Sequence, residues 1–160
     1  MYSPLVDKVK GPLDYVFAKK LTISVAESLT GGLLSSILTE RPGSSEILIG
    51  GICPYSIAAK EYFLAIKNTI DLNGVVSPEV AKAMAEEIRH RLDTDIGLST
   101  TGIAGPDGGT KLIPVGTVFI GLANRKKTVT YRLQLTGNRT EIRELTVIEI
   151  LSRLADFMDK

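Results

Sequence analysis

The sequence has a single cysteine, Cys53, a single histidine, His90, and no tryptophan. One cysteine closes no disulfide within the chain, so a reducing, cytoplasmic compartment is the expectation. One histidine excludes mechanisms built on a histidine pair and most zinc sites. An excess of one charge is also missing: nineteen basic residues face eighteen acidic ones, a formal net charge of +1. Such a balance gives no electrostatic ground for a nucleic-acid partner. No apolar run reaches the roughly 18 residues of a membrane-spanning helix, so no membrane partner is expected. The opening Met1-Tyr2-Ser3-Pro4 lacks the basic-then-apolar layout of a signal peptide. No repeat, low-complexity tract or linker divides the chain, and residues 1–160 read as a single domain. A homo-oligomer is compatible with the sequence but not specified by it.

What is present is a globular composition, 44% apolar and 23% charged. Ser3-Pro4 reads as an N-cap followed by proline in the first helical turn, with Gly11-Pro12 expected to break the helix soon after. Residues 21–26, rich in β-branched side chains, read as a strand, 30–39 as a helix, 47–52 as a short strand and 57–66 as a helix. Ser77-Pro78 opens the clearest helix, continued by Val80, Ala81, Met84, Ile88 and Leu92. Residues 95–101 read as a strand, 115–123 and 128–135 as a hairpin, and Ile142 to Phe157 as one long helix. This order predicts an α/β fold, a layered α/β/α domain with a mixed, largely parallel sheet. Ligands of such sheets sit at the carboxyl ends of strands, which is where chemistry is to be sought.

Four junctions carry candidate residues. Ala26-Glu27-Ser28-Leu29-Thr30-Gly31-Gly32 follows a strand and enters a helix. Unpaired N–H groups at a helix start can hold an anion or an oxyanion, with Ser28 as a nucleophile; alternatively Ser28 or Thr30 only caps the helix. Thr101-Gly102-Ile103-Ala104-Gly105-Pro106-Asp107-Gly108-Gly109 is a glycine-rich loop, either an anion cradle or a long mobile connection. It is neither a P-loop nor a dinucleotide fingerprint. Pro54-Tyr55-Ser56-Ile57-Ala58-Ala59-Lys60 offers a lysine among small and apolar neighbours, a base for a serine if buried and a solvated surface group otherwise. Asn138-Arg139-Thr140-Glu141-Ile142-Arg143 puts two arginines four residues apart at a helix start, able to grip a phosphate or simply to face solvent. His90 reads as a solvent-facing residue late in its helix and Cys53 as a small core residue.

Together these segments resemble the family of the CinA C-terminal domain, whose stand-alone members are nicotinamide mononucleotide amidases. The resemblance spans about residues 21–157. It is carried in order by the Ala26–Gly32 segment, by Tyr55-Ser56 with Lys60, by Gly74-Val75-Val76-Ser77, by the Thr101–Gly109 loop and by Pro114-Val115-Gly116-Thr117-Val118. It implies hydrolysis of the carboxamide of nicotinamide mononucleotide to nicotinic acid mononucleotide and ammonia, with a small-molecule pyridine nucleotide as partner and no cofactor. Ser28 takes the place of the nucleophile, Lys60 of its base, and Tyr55 of a group orienting lysine or substrate. Thr30, Gly31 and Gly32, with Thr101, Gly102, Gly105 and Gly108 of the glycine loop, stand as substrate-binding residues. So do Arg139 and Arg143, neither singled out.

Two positions depart from the family pattern: Ile57 stands where asparagine is usual, and Leu29 where cysteine or a similarly small residue is. Loss of a polar group at Ile57 motivates a second reading, a non-catalytic nucleotide-binding or regulatory relative. A third keeps the chemistry on a different small amide. Long members of the family carry a further N-terminal domain, whose activity is not expected here. Catalysis requires Ser28 and Lys60 to meet beside the glycine loop; the binding reading does not.

Overall fold

The computed structural model describes residues 4–159. Helices α1 (Pro4–Lys8) and α2 (Lys10–Lys19) open the chain, and Ser3, the expected N-cap, lies outside the described residues. The break falls at Val9 rather than at Gly11-Pro12, which occupy the first turn of α2. Proline is tolerated there because a first-turn N–H has no partner within its helix. Next come β1 (Ile23–Glu27), α3 (Leu33–Thr39), a short 3-10 turn (Ser44–Glu46), β2 (Leu48–Ile52) and α4 (Ile57–Leu64). Helix α3 starts three residues later than expected, because Gly31 and Gly32 both hold positive φ and keep the preceding segment in tight turns.

Helix α5 (Lys67–Asn73) was not anticipated; it is short and buries only Ile70, so it carries no apolar stripe to read. Helix α6 (Pro78–Leu92) begins where expected, the Ser77 hydroxyl accepting the Val80 N–H at 3.3 Å. Strands β3 (Ile96–Gly102), β4 (Thr117–Ala123) and β5 (Thr128–Gln134) follow. The single final helix is instead α7 (Arg139–Ser152) and α8 (Leu154–Asp159), divided at Arg153. Asn138 caps α7 by accepting the Thr140 and Glu141 amides at 2.9 and 3.1 Å, and the Glu141 carboxylate accepts the Asn138 N–H at 2.7 Å, a complete capping box.

The five strands form one mixed sheet in the order β2-β1-β3-β4-β5. β1 pairs parallel with β2 and β3, and β3-β4 and β4-β5 are antiparallel. Side chains alternate between its two faces. On one face Ile23, Val25, Ile96, Leu98, Val118, Ile120 and Leu122 join α1, α2, α3, α7 and α8 in the larger core. On the other, α4, α5 and α6 form a smaller core around Leu64, Ile70, Val80 and Met84. The layers are therefore α/β/α, with the residues between Ile96 and Leu98, or around Ile120, kept small where α6 crosses. A Cβ on Gly97 would lie 2.1 Å from the Ala85 carbonyl oxygen, and one on Gly121 2.5 Å from that of Ala81. Because β1, β2 and β3 are parallel, their carboxyl ends share one edge of the domain. Ser28, Pro54-Tyr55 and the glycine loop all emerge there.

Candidate active site

Ser28 is the first residue beyond β1. Its amide donates to the Thr100 carbonyl at 3.0 Å, which ties the turn to the adjacent strand β3. The Thr30 and Thr100 hydroxyls bond to each other at 2.8 Å beneath it. Lys60 reaches the same point from α4, which the Ser56 hydroxyl caps by accepting the Ala59 N–H at 3.0 Å. The Lys60 Nζ donates to Ser28 Oγ at 3.0 Å and to the Pro54 carbonyl oxygen at 2.7 Å. Lysine is normally solvated, yet Lys60 is 1% exposed. No carboxylate among the described residues forms an ion pair with it. Burial without a counter-ion lowers its pKa from 10.5 to about 8. The pairing that the catalytic reading requires is present.

The dyad opens into a cleft of about 260 Å³. Tyr55, Thr101, Gly102, Gly105, Gly108 and Arg139 all line it, together with Val75, Val76, Ile103, Ala104 and Asp107. Thr101 is buried, and its hydroxyl donates inward to the Val75 carbonyl at 2.9 Å, fixing the 74–77 loop as one wall. The glycine loop is pinned at its base, Ile103 N–H to Thr117 and Gly116 N–H to Ile103 at 2.9 and 2.8 Å. Gly105 holds φ of +77° while packing on Val115, where a Cβ would come within 2.5 Å. The amides of Ala104, Gly105, Asp107 and Gly108 have no protein partner among the described residues. Such a run of amides suits an anion.

The two arginines are separated. Arg139, first residue of α7, donates to the Gly105 carbonyl and to the Tyr55 hydroxyl, both at 2.7 Å, and so bridges two walls of the cleft. Arg143 turns away and donates to the Thr30 carbonyl from Nε at 3.2 Å and from a terminal nitrogen at 2.7 Å. Thr30, Gly31, Gly32 and Arg143 do not line the cleft. The α3 amides are not offered to a ligand either, because Glu27 takes them. Its carboxylate accepts the N–H groups of Gly32, Leu34 and Ser35 at 3.0, 3.0 and 2.8 Å. Leu29 and Thr30 retain amides without a partner among the described residues, and Leu29 lies on the cleft wall.

Of the remaining residues, Ile57 is half exposed on the first turn of α4 and off the cleft. His90 is exposed in the last turn of α6. Cys53 is exposed rather than in the core, one residue past β2, with its thiol pushed up by partial desolvation and by the Glu27 charge. Val75, Val76, Asp107 and Glu27 were not among the predicted site residues. All four lie in segments that carry the family resemblance, and Glu27 shows a further trace, an acidic side chain at the end of a buried strand directly before a turn. Among the described residues no group of three or more His, Cys, Asp or Glu side chains is arranged to hold a metal, and no helix is long and apolar enough to cross a membrane.

A three-layer α/β domain with a buried, unpaired lysine on a serine at its parallel strand ends defines a candidate serine–lysine site. The chain belongs to the CinA C-terminal domain family, whose model matches residues 9–158. It is 46% identical over 154 residues to a protein of Acetivibrio thermocellus provisionally named competence-damage inducible, covering 92% of this chain and 37% of that one. A relative of the same provisional name from Caldanaerobacter subterraneus is 45% identical over 139 residues, 86% of this chain and 34% of the other. The chain thus spans little more than a third of the length of these curated relatives. Among solved structures, the competence/damage inducible protein CihA of Agrobacterium tumefaciens superposes with a TM-score of 0.91 at 31% identity, over 99% of this chain and 98% of that one. A competence-damaged protein (CinA) superfamily protein of Escherichia coli gives a TM-score of 0.88 at 25% identity, over 98% of this chain and 94% of that one.

Proposed function

We propose that the chain is an amidohydrolase that converts nicotinamide mononucleotide to nicotinic acid mononucleotide and ammonia. The reading rests on one observation above the others: Lys60 Nζ lies 3.0 Å from Ser28 Oγ, buried and without a counter-ion. In its neutral form Lys60 accepts the Ser28 proton as Oγ attacks the carboxamide carbon. The free Leu29 amide, next after the nucleophile, is the donor for the oxyanion. Lys60 then returns the proton to the departing amine, and ammonia leaves an ester on Ser28. Neutral again, Lys60 takes a proton from the water that attacks the ester and hands it to Ser28 Oγ as the acyl–oxygen bond breaks, which frees the acid and restores the serine hydroxyl and the neutral amine. The Pro54 carbonyl holds the amine in place throughout. Arg139 and the free amides of the glycine loop supply the anion site a nucleotide phosphate needs. The family membership supports the pyridine nucleotide as substrate, and Ile57, off the cleft, removes no group from the site.

Ammonia release from nicotinamide mononucleotide by the full chain tests this. Ser28→Ala is expected to lower the rate at least about a thousandfold with the melting temperature nearly unchanged. Wild-type protein that binds the nucleotide but releases no ammonia would favour the non-catalytic reading; activity that survives Ser28→Ala would exclude this mechanism. The pH profile is a second expectation. With Lys60 titrating at about 8, kcat/KM should climb about tenfold per unit below that pH and level off above it.

A further inference from the structure

The residue just before the nucleophile has no role in the proton transfers above, yet it makes one of the densest sets of hydrogen bonds in the domain. Glu27 is fully buried at the end of β1. One carboxylate oxygen accepts the Gly32 and Leu34 amides, both at 3.0 Å; the other accepts the Ser35 amide at 2.8 Å and the Ser35 hydroxyl at 2.6 Å. These four donors are the start of α3, which no side chain of its N-cap residue satisfies, since that residue is Gly32. A buried carboxylate is costly unless its oxygens are filled, and a helix start is costly unless its amides are. Here each settles the other.

We infer that Glu27 is a positioning residue for the Ser28 turn, clamping it between β1 and α3 so that the Leu29 amide stays free beside the cleft. The inference rests on the amidase reading for its consequence, but the clamp itself is geometric. The turn runs only from Ser28 to Gly32. At one end it is fixed by β1 and by the Ser28 amide on Thr100. At the other it is fixed by Glu27 reaching over the turn to Gly32, five residues on. Inside, the Gly31 amide closes on the Ser28 carbonyl at 3.1 Å. With both ends held and the α3 amides consumed, the amides of the turn without a partner among the described residues are those of Leu29 and Thr30. Arg143 adds a third anchor from α7 on the Thr30 carbonyl.

Glu27→Gln keeps the size of the side chain but replaces one acceptor oxygen by a donor, which faces amide N–H groups in either orientation. In the full chain, at a temperature where circular dichroism gives the variant as fully folded, kcat for ammonia release is expected to fall at least about tenfold with KM within about twofold of wild type. Amide exchange at Ser28 and Gly31, neither bonded to Glu27 itself, is expected to speed at least about tenfold while β4 amides keep their protection. Ser35→Ala removes one of the four donors and should move both readouts the same way by a few fold; it stands in if the glutamine variant does not fold. An unchanged kcat in a folded variant, a rise in KM with kcat held, or unaltered exchange at Ser28 and Gly31 would each overturn the role. Wild-type protein without amidase activity would instead remove the amidase reading, and the exchange arm would then decide the clamp by itself.

Discussion

Lys60→Met is expected to reduce ammonia release from nicotinamide mononucleotide by about three to four orders of magnitude while leaving the fold intact. Methionine matches the length of the lysine stem and suits the buried path through α4, so the loss reads the amine rather than the packing. Both proton transfers on Ser28 Oγ go with it, because no other base lies on that oxygen among the described hydrogen bonds. The same variant carries a second signature. Burial holds the Lys60 pKa at about 8 in the folded protein, against 10.5 ordinarily. Between those values the unfolded chain keeps a proton the folded chain has released, so the unfolding free energy of the wild type rises with pH across that window. Below pH 8 both states are protonated and the full cost of burying the ammonium remains. Urea denaturation of wild type and Lys60→Met, compared from pH 7 to 10.5, should therefore give a difference that changes in the wild type's favour as pH rises. A difference independent of pH would mean that the amine is not buried unpaired.

Gly97→Ala is expected to destabilise the domain by about 3 kcal/mol or more, at the upper end of overpacking effects. The added Cβ would sit 2.1 Å from the Ala85 carbonyl oxygen and 2.6 Å from the Arg89 Cβ. The first is backbone of the helix that covers this face, so no rotamer change relieves the clash. Helix α6 would have to lift from β3, and with it from β4, where Gly121 makes the matching approach to Ala81. For a domain of this size each kcal/mol shifts the melting temperature by about 2–4 °C, so a fall of roughly 6–12 °C in a thermal melt is the expected result. A shift under about 2 °C would mean that α6 does not pack there.

The anticipated elements were those whose signals lie within a few residues. Ser77-Pro78 starts α6, Asn138 starts α7, and the β-branched run before Ala26 is β1. Helix α5 buries one residue and had no stripe to betray it. The division of the last helix at Arg153 shows in the backbone, while its apolar spacing continues through Leu154 and Phe157. The site followed the same rule. Ser28, Lys60, Tyr55 and the glycine loop stood out as residue types in motif order, and the structure gathers them at one cleft. Arg139 and Arg143, four apart on one helix, looked alike, and only their partners on Gly105 and on Thr30 tell them apart.

The layered α/β order, the family and the inventory of chemistry are legible in the chain alone: one serine turn, one lysine beside small residues, one glycine-rich loop and no histidine pair. Tertiary structure decided the rest. Whether Lys60 is a solvated ammonium or a buried base depends on what 32 residues of chain separation bring to its Nζ, and that distance closes only because β1 and β2 run parallel with their ends on one edge. Whether the start of α3 receives a ligand or a carboxylate likewise depends on where Glu27 points. Burial and long-range hydrogen bonding are properties of the packed layers, and no local window of the chain contains them.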